Sequence, residues 1–290
     1  MTSVAIPEHD VLFVTLDSCR SDTAARAHMP FIESIGGFRE ARTHGTYTLP
    51  AHMSFFMGYL PQATEAPFRP FYVPSVQQLW RLASSRRCAA SRVGVLLDGT
   101  DVIDGYRRKG YTTTGFGGVR WFRHSALTRF FDTFQFFGEA DLHSVFAARR
   151  AHEFPLFHAD RIVEAAVRPQ RSFVFVNCPE THVPYDTGSG TETAEARAVI
   201  ERYADRWGCR PSGRRGQLDT DSLRILHETQ IAALEQIDDR IRRIVDRCRR
   251  PLLLVIAGDH GECFGEDGYW GHGIPHHRVM SVPLLIRLLE

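Results

Sequence analysis

The residues with the most chemical content lie in Ala257 to Gly273, AGDHGECFGEDGYWGHG. Asp259 and His260 stand side by side just beyond an apolar run, Leu252 to Ile256, which reads as a buried parallel strand. A carboxylate and an imidazole at the carboxyl end of such a strand suit a divalent metal ion. Gly258 and Gly261 let the backbone turn tightly and approach a ligand, and His272 follows after a short loop. The same stretch also fits a turn in which Asp259 caps a helix and the histidines face water. One Asp-His pair does not separate the two, so partners must come from elsewhere in the chain.

Two other segments offer them. Val11 to Leu16 is a second apolar strand, and it stops at Asp17 within DSCRSD, which also holds Arg20 and Asp22. An aspartate at the tip of the first strand of an α/β sheet is a common ligand position, because the loops at that edge meet in one crevice. Capping by Asp17 or Ser18, with Arg20 and Asp22 as a surface pair, explains the segment equally well. The third piece is Thr43 to Gly58, THGTYTLPAHMSFFMG. Pro50 suits a first helical turn, and Met53, Phe55, Phe56 and Met57 supply an apolar face. Thr48 is expected just before that helix. There it is either an ordinary cap or a hydroxyl placed where unpaired N–H groups and the helix dipole favour an anion.

The order of these pieces resembles a known family. A first strand ending in DSxRxD, then TxPxH on a helix, GYxT, THxPY, and DHGE followed by GHG is similar to the sulfatase-like branch of the alkaline phosphatase superfamily. The likeness runs from about Val11 to Ile286. It implies an α/β three-layer sandwich with a mostly parallel central sheet flanked by helices. It implies Asp17, Asp259 and His260 as metal ligands, and Thr48 as a nucleophile that also touches the metal. Sulfatases carry at that place a cysteine or serine, oxidised to formylglycine, within Cys-x-Pro-x-Arg. Here threonine cannot be so oxidised, and His52 stands in place of the arginine, which argues against sulfate-ester hydrolysis by that route. Threonine nucleophiles instead mark phosphoethanolamine transferases, lipoteichoic-acid synthases, nucleotide pyrophosphatases and phosphopentomutases. The spacing from His260 to His272 is particularly similar to the first of these.

The implied chemistry is metal-dependent phosphoryl transfer through a phosphothreonine at Thr48, ending in hydrolysis or transfer to an acceptor. A threonine hydroxyl is scarcely ionised at neutral pH, and coordination to a metal lowers its pKa. His182, within THVPY, and His272 are catalytic candidates that would hold phosphoryl oxygens or protonate the leaving group. With His52 they are also the substrate-binding candidates. The expected cofactor is one divalent ion, Zn or Mn, with His182 and His272 available for a second. Glu180-Thr181-His182 does not match the usual two-metal spacing, and His276 and His277 read as structural or outer-shell residues. A sulfate or phosphonate hydrolase, a phosphomutase, and a non-catalytic protein that binds a metal or phospho-ligand are the competing readings.

The elements that must position these residues read as alternating strands and helices. Tyr111 to Phe116 and Phe173 to Val176 are strands, and Ser75 to Ser84 is a helix with Ser75 as its cap. Asp219 to Cys248 is a long amphipathic helix with Leu223, Leu226, Leu234, Ile237, Ile241 and Ile244 at helical spacing. The basic run Arg247 to Arg250 reads as its solvated end. Arg120 to Phe137 is rich in phenylalanine and reads mainly as core. Asp186 to Gln217 is polar and forms a candidate lid. With 43% hydrophobic residues, the 290-residue chain can bury a large core, expected as one catalytic domain over 1–290. The family's small carboxy-terminal subdomain is expected to be absent or reduced.

A net charge of +1 gives no electrostatic reason to bind nucleic acid or an anionic membrane. Lys109 is the only lysine. The six cysteines, Cys19, Cys88, Cys178, Cys209, Cys248 and Cys263, are scattered and suggest neither a zinc knuckle nor a disulfide framework. No signal peptide or membrane-spanning run is visible. The expected partner is therefore a soluble small-molecule phosphoester, in the cytoplasm, with no membrane segment. The substrate and the oligomeric state are not legible.

Overall fold

A computed structural model describes residues 9–58, 101–137, 154–188, 193–207 and 219–290. The helix expected over Ser75 to Ser84 lies outside these residues, as do parts of the candidate lid.

Three apolar runs form the middle of the sheet. β1 (Asp10–Leu16), β5 (Ser172–Cys178) and β6 (Leu252–Gly258) are built from Val, Leu, Ile and Phe, residues that suit a strand covered on both faces. β1 pairs in parallel with both, in a register that sets Leu16 beside Cys178 on one side and Gly258 on the other. The residues that follow, Asp17, Pro179 and Asp259, therefore emerge together at one edge. With β2 (Arg39–Arg42), β3 (Thr112–Gly117), β4 (Thr133–Phe136) and β9 (Ser281–Leu289) the order is β2-β9-β6-β1-β5-β3-β4. β6, β1, β5, β3 and β4 are mutually parallel, and β9 runs antiparallel between β6 and β2. A two-stranded ribbon, β7 (Cys263–Phe264) with β8 (Trp270–Gly271), closes the loop that follows Asp259.

Strand alternation divides the core between the two faces of the sheet. Leu12, Val14 and Leu16 of β1 and Val174 and Val176 of β5 point to one side. They pack there against α2 (Pro30–Ser34), α6 (Ala159–Ala166) and α8 (Thr220–Val245), through Ile32, Ile162, Leu234, Ile237, Ile241 and Ile244. Val11, Phe173 and Phe175 point to the other, against Met53 and Phe56 of α3 (Thr48–Met57), Ile103 of α4 (Val102–Arg108) and Phe122 of α5 (Trp121–His124). The result is the expected mixed α/β sandwich, with helices on both faces of a mostly parallel sheet. The phenylalanines of 120–137 serve mainly this second core layer: Phe122 and Phe131 are buried in it, and Phe130, Phe134 and Phe136 pack against it.

α1 (Ser21–Arg26) follows the Asp17 turn, and its cap position is Arg20, so Asp17 and Ser18 do not cap it. α7 (Ala194–Trp207) occupies part of the candidate lid and packs on α8. α8 falls within the helix expected over Asp219 to Cys248, and Asp219 caps it by accepting the Ser222 N–H. The basic end is not merely solvated. Arg249 reaches back to both oxygens of Asp10, itself buried at the start of β1, and Arg250 donates to the Val245 and Cys248 carbonyls. α9 (His277–Met280) leads into β9.

Candidate functional site

At the carboxyl edge of β1 and β6, Asp17, Asp259 and His260 are fully buried, and their ligand atoms lie within 4.8 Å of one another. The local backbone explains how each is aimed. Asp259 Oδ1 accepts the N–H groups of Ser18 at 3.1 Å and His260 at 2.8 Å, which leaves Oδ2 without a hydrogen-bond partner. His260 Nδ1 donates to the Gly261 carbonyl at 3.0 Å. That fixes the tautomer, so the Nε2 lone pair faces Asp259 Oδ2 at 3.6 Å and Asp17 Oδ1 at 3.8 Å. Burial first, then the nearby imidazole of His272, holds the His260 ring well below the usual histidine range and so neutral. Burial first, then the charge of Asp17, pushes the Asp259 carboxyl well above the usual carboxylate range.

A bare lone pair facing two buried carboxylates is repulsive unless a cation lies between them. Among the described residues, the ion pairs of Asp17 and Asp259 are to histidines only, with no arginine or lysine. Two carboxylates, a correctly oriented neutral imidazole and orphaned atoms at Asp259 Oδ2 and His260 Nε2 fit a divalent ion of the oxygen- and nitrogen-binding kind.

Thr48 joins the cluster from α3. Its Oγ1 donates to Asp17 Oδ2 at 3.3 Å. It is the first residue of the helix rather than the residue before it, and Tyr47 takes the cap position with no side-chain capping bond. The sequence reading missed by one residue because neither Tyr47 nor Thr48 signals its position through a capping interaction. The hydroxyl thus sits in the first turn, beside N–H groups that have no intrahelical acceptor.

His182 and His272 lie on the His260 side of the cluster. The His272 ring lies 4.5 Å from that of His260 and 5.3 Å from that of His182. His272 Nδ1 is 3.4 Å from Glu262 Oε2, and His182 Nδ1 donates to the Val183 carbonyl at 2.5 Å. Neither residue belongs to a three-ligand group.

His52 is placed differently from its expected substrate-facing role. It is fully buried, with its ring edge-on to Phe55, Phe56, Phe122 and Phe175. Both nitrogens are used inside the protein: Nδ1 donates to the Thr48 carbonyl at 2.7 Å, and Nε2 accepts from Thr15 Oγ1 at 2.9 Å. It therefore stands behind the threonine, on its backbone side.

A second group, Asp267, His276 and His277, also brings three ligand atoms within 4.8 Å. His276 Nδ1 accepts the Arg278 N–H and so holds no proton, and Nε2 then donates to Asp267 Oδ2 at 3.0 Å. His276 thus caps α9 through Nδ1 and contacts Asp267 through Nε2.

Sequence reasoning missed the buried polar residues around the cluster. Thr43 Oγ1 donates to the Asp259 carbonyl at 2.6 Å, and Thr181 Oγ1 to the Asp17 carbonyl at 2.6 Å. Arg20 is buried with Asp22 and Glu266 as partners and donates to the Glu262 carbonyl, so it braces the Asp259 loop and is not half of a surface pair. Gln230, fully buried, carried a legible signal: it is a polar residue inside the apolar stripe of α8.

No protein-family model and no curated protein matches the chain. Solved structures do match in fold. A phosphonate monoester hydrolase from Silicibacter pomeroyi superposes with a TM-score of 0.61 at 15% identity, over 97% of this chain and 68% of that one. The periplasmic domain of EptC from Escherichia coli, solved in complex with Zn, gives 0.52 at 14%, over 98% and 74%. A protein in the alkaline phosphatase superfamily from Vibrio parahaemolyticus gives 0.52 at 11%, over 96% and 60%. The chain has the fold of the sulfatase-like alkaline phosphatase superfamily. Among the described residues no helix is long and apolar enough to cross a membrane. The Escherichia coli neighbour being a periplasmic domain, the cytoplasmic expectation gains no support.

Proposed function

We propose that this chain is a metal-dependent phosphoryl-transfer enzyme, a phosphoester hydrolase or phosphotransferase, that works through a covalent phosphothreonine at Thr48. The observation that carries the reading is the Thr48 hydroxyl, at a helix amino terminus and 3.3 Å from Asp17 Oδ2, within one buried cluster with Asp259 and His260. Asp17, Asp259, His260 and Thr48 Oγ1 would hold one Zn or Mn, and the Zn-bound neighbour of like fold supports the choice of a divalent ion. Such an ion, when bound, lowers the pKa of a coordinated hydroxyl and neutralises charge on a phosphoryl oxygen.

The residues of the chain do the rest. The free N–H groups of the first turn of α3 orient the non-bridging oxygens. Thr48 Oγ1 passes its proton to Asp17 Oδ2, its 3.3 Å acceptor, and attacks phosphorus, and the bond from phosphorus to the leaving oxygen breaks. His182 or His272 delivers a proton to that oxygen. Water or an acceptor alcohol then attacks phosphorus, the bond to Thr48 breaks, and the hydroxyl is restored. The substrate we favour is a soluble small-molecule phosphoester.

The test is metal content of protein purified without chelator, with turnover of bis-p-nitrophenyl and p-nitrophenyl phosphate. Bound Zn or Mn is expected, and Thr48→Ala should lower kcat by about 1,000-fold or more while keeping the metal. A phosphate mass on the Thr48 peptide after rapid quenching would identify the intermediate. Metal-dependent turnover that survives in Thr48→Ala would overturn the nucleophile. Metal binding with no turnover of any phosphoester would favour the binding-protein reading.

A further inference from the structure

Gln230 lies near the middle of α8, one turn from Leu226 and one from Leu234, in a stripe that otherwise needs apolar side chains. A buried amide at such a place is costly unless every polar atom is used. Here they are. Nε2 donates one proton to the Ser18 carbonyl and the other to the Thr181 carbonyl, each at 2.9 Å. Two acceptors on that side oblige the NH2 group to face them, which fixes the orientation of the amide. Oε1 accepts from Thr23 Oγ1 at 2.7 Å, and the Thr23 oxygen in turn accepts from His227 Nε2 at 3.0 Å.

The two carbonyls belong to different turns. Ser18 follows Asp17 at the end of β1, and Thr181 precedes His182 after the end of β5. Ser18 adopts left-handed backbone at φ 58°, which a non-glycine residue keeps only when its surroundings enforce it. Both of its main-chain polar groups are held: the N–H by Asp259 Oδ1 and the carbonyl by Gln230. The turns are tied a second time by Thr181 Oγ1, which donates to the Asp17 carbonyl at 2.6 Å.

We propose that Gln230 is a positioning residue that holds the Asp17–Ser18 turn and the Thr181–His182 turn at a fixed separation, and so sets the metal-cluster carboxylate against the substrate-side imidazole. The inference rests on the phosphoryl-transfer reading above for its consequence, since it assigns to α8 the alignment of those two turns. It predicts that the amide acts on metal affinity and on kcat, beyond any effect on folding.

The comparison is Gln230→Met, which keeps length and helix propensity but removes both donors, against Ile237→Val, a core change on the same helix. Three quantities are read: Zn affinity by competition with a chromophoric chelator, kcat and KM on bis-p-nitrophenyl phosphate, and amide hydrogen exchange of the metal-free protein. Gln230→Met should weaken Zn binding by about 10- to 100-fold, the range for residues that orient metal ligands. It should lower kcat more than it changes KM. Amides around Asp17–Ser18 and Thr181–His182 should exchange faster together. Ile237→Val should leave all three near wild type. If Gln230→Met does not fold, Thr181→Val, which cuts the second tie, carries the same test. Equal affinity, kcat and exchange in Gln230→Met and Ile237→Val would overturn the proposal. A wild-type protein that takes up no Zn or Mn and turns over no phosphoester would defeat the phosphoryl-transfer reading instead, and the exchange comparison would still decide whether Gln230 ties the two turns.

Discussion

The ring of His52 sits between the Thr48 backbone and a chain of buried polar groups. Asn177 Nδ2 donates to Thr15 Oγ1 at 3.3 Å, Thr15 donates to His52 Nε2, and His52 Nδ1 donates to the Thr48 carbonyl. The imidazole links β1 to the first turn of α3 and cannot reach a substrate. His52→Leu should therefore cost stability through two broken buried bonds, about 1–3 kcal/mol. It should also lower kcat by about 10-fold or more, because the turn that carries Thr48 loses its anchor. His52→Asn can still donate to the Thr48 carbonyl and should recover part of both losses, read by thermal unfolding and by kcat. At this scale the sequence exposed the residues of the buried cluster, since Asp259-His260 and Asp17 end apolar strands. It could not say which way His52 faces. An imidazole one turn after Thr48 fits equally the pocket side and the aromatic side, and only the packing of Phe55, Phe56, Phe122 and Phe175 decides.

The first turn of α3 is positioned by the loop in front of it as much as by the helix itself. Gly45 lies so close to that turn that a Cβ there would fall 2.2 Å from the Ala51 nitrogen and 2.4 Å from its Cα, both backbone atoms that cannot move aside singly. Gly45→Ala must shift α3 against the sheet, and with it Thr48 against Asp17. A displacement of the order of 1 Å at a reacting group costs about 100-fold in rate, so kcat should fall by about that factor in Gly45→Ala. Metal content should change little, because Asp17, Asp259 and His260 hang from β1 and β6; a wild-type kcat would show that the loop absorbs the methyl. α8 shows what was legible among the elements and what was not. Its apolar stripe made it legible as a helix over Asp219 to Cys248; the structure makes Asp219 its cap and ends it at Val245. Two polar residues inside the stripe, Gln230 and Asp238, mark where it grips loops. Asp238 accepts the Phe31 and Ile32 N–H groups at the start of α2. β1, β5 and β6 were plain because continuous apolar runs identify strands covered on both faces. β2, with the sequence REAR, was not, because a short charged edge strand carries no hydrophobic period.

Across the molecule, burial of imidazoles sets how stability responds to acid. Burial pushes His52 down to about 4, with the hydrogen bond to the Thr48 carbonyl opposing, and pushes His227 down to about 4, aided by Arg20. An unfolded chain returns both rings to about 6.5. Above that pH neither state binds the proton and the rings have no linkage effect. As pH falls from about 6.5 toward 4 the unfolded state takes up protons that these two folded rings refuse, so their contribution falls through this window, while Glu180, whose carboxyl burial pushes up to about 7, binds its proton in the folded state first and opposes the loss. His52 alone can account for up to about 3 kcal/mol of that loss, and the partly exposed His227 for less. Asp10 acts lower on the scale. Burial would raise its carboxyl, but Arg249, the Ser172 N–H and Arg171 together hold it below the usual range. Its contribution is complete above about pH 4 and is lost only as the folded carboxylate itself takes up a proton. The two rings should thus draw the urea midpoint down between about pH 6.5 and 4 against the Glu180 gain, and the midpoint should fall more steeply below. In His52→Leu the decline over the first window should be shallower, whereas Asp10→Asn should leave that window unchanged and lose stability already at pH 7. A His52→Leu midpoint that tracks the wild type over this window would mean that the His52 ring is protonated in the folded chain, which two engaged nitrogens and a cage of phenyl rings around it do not permit.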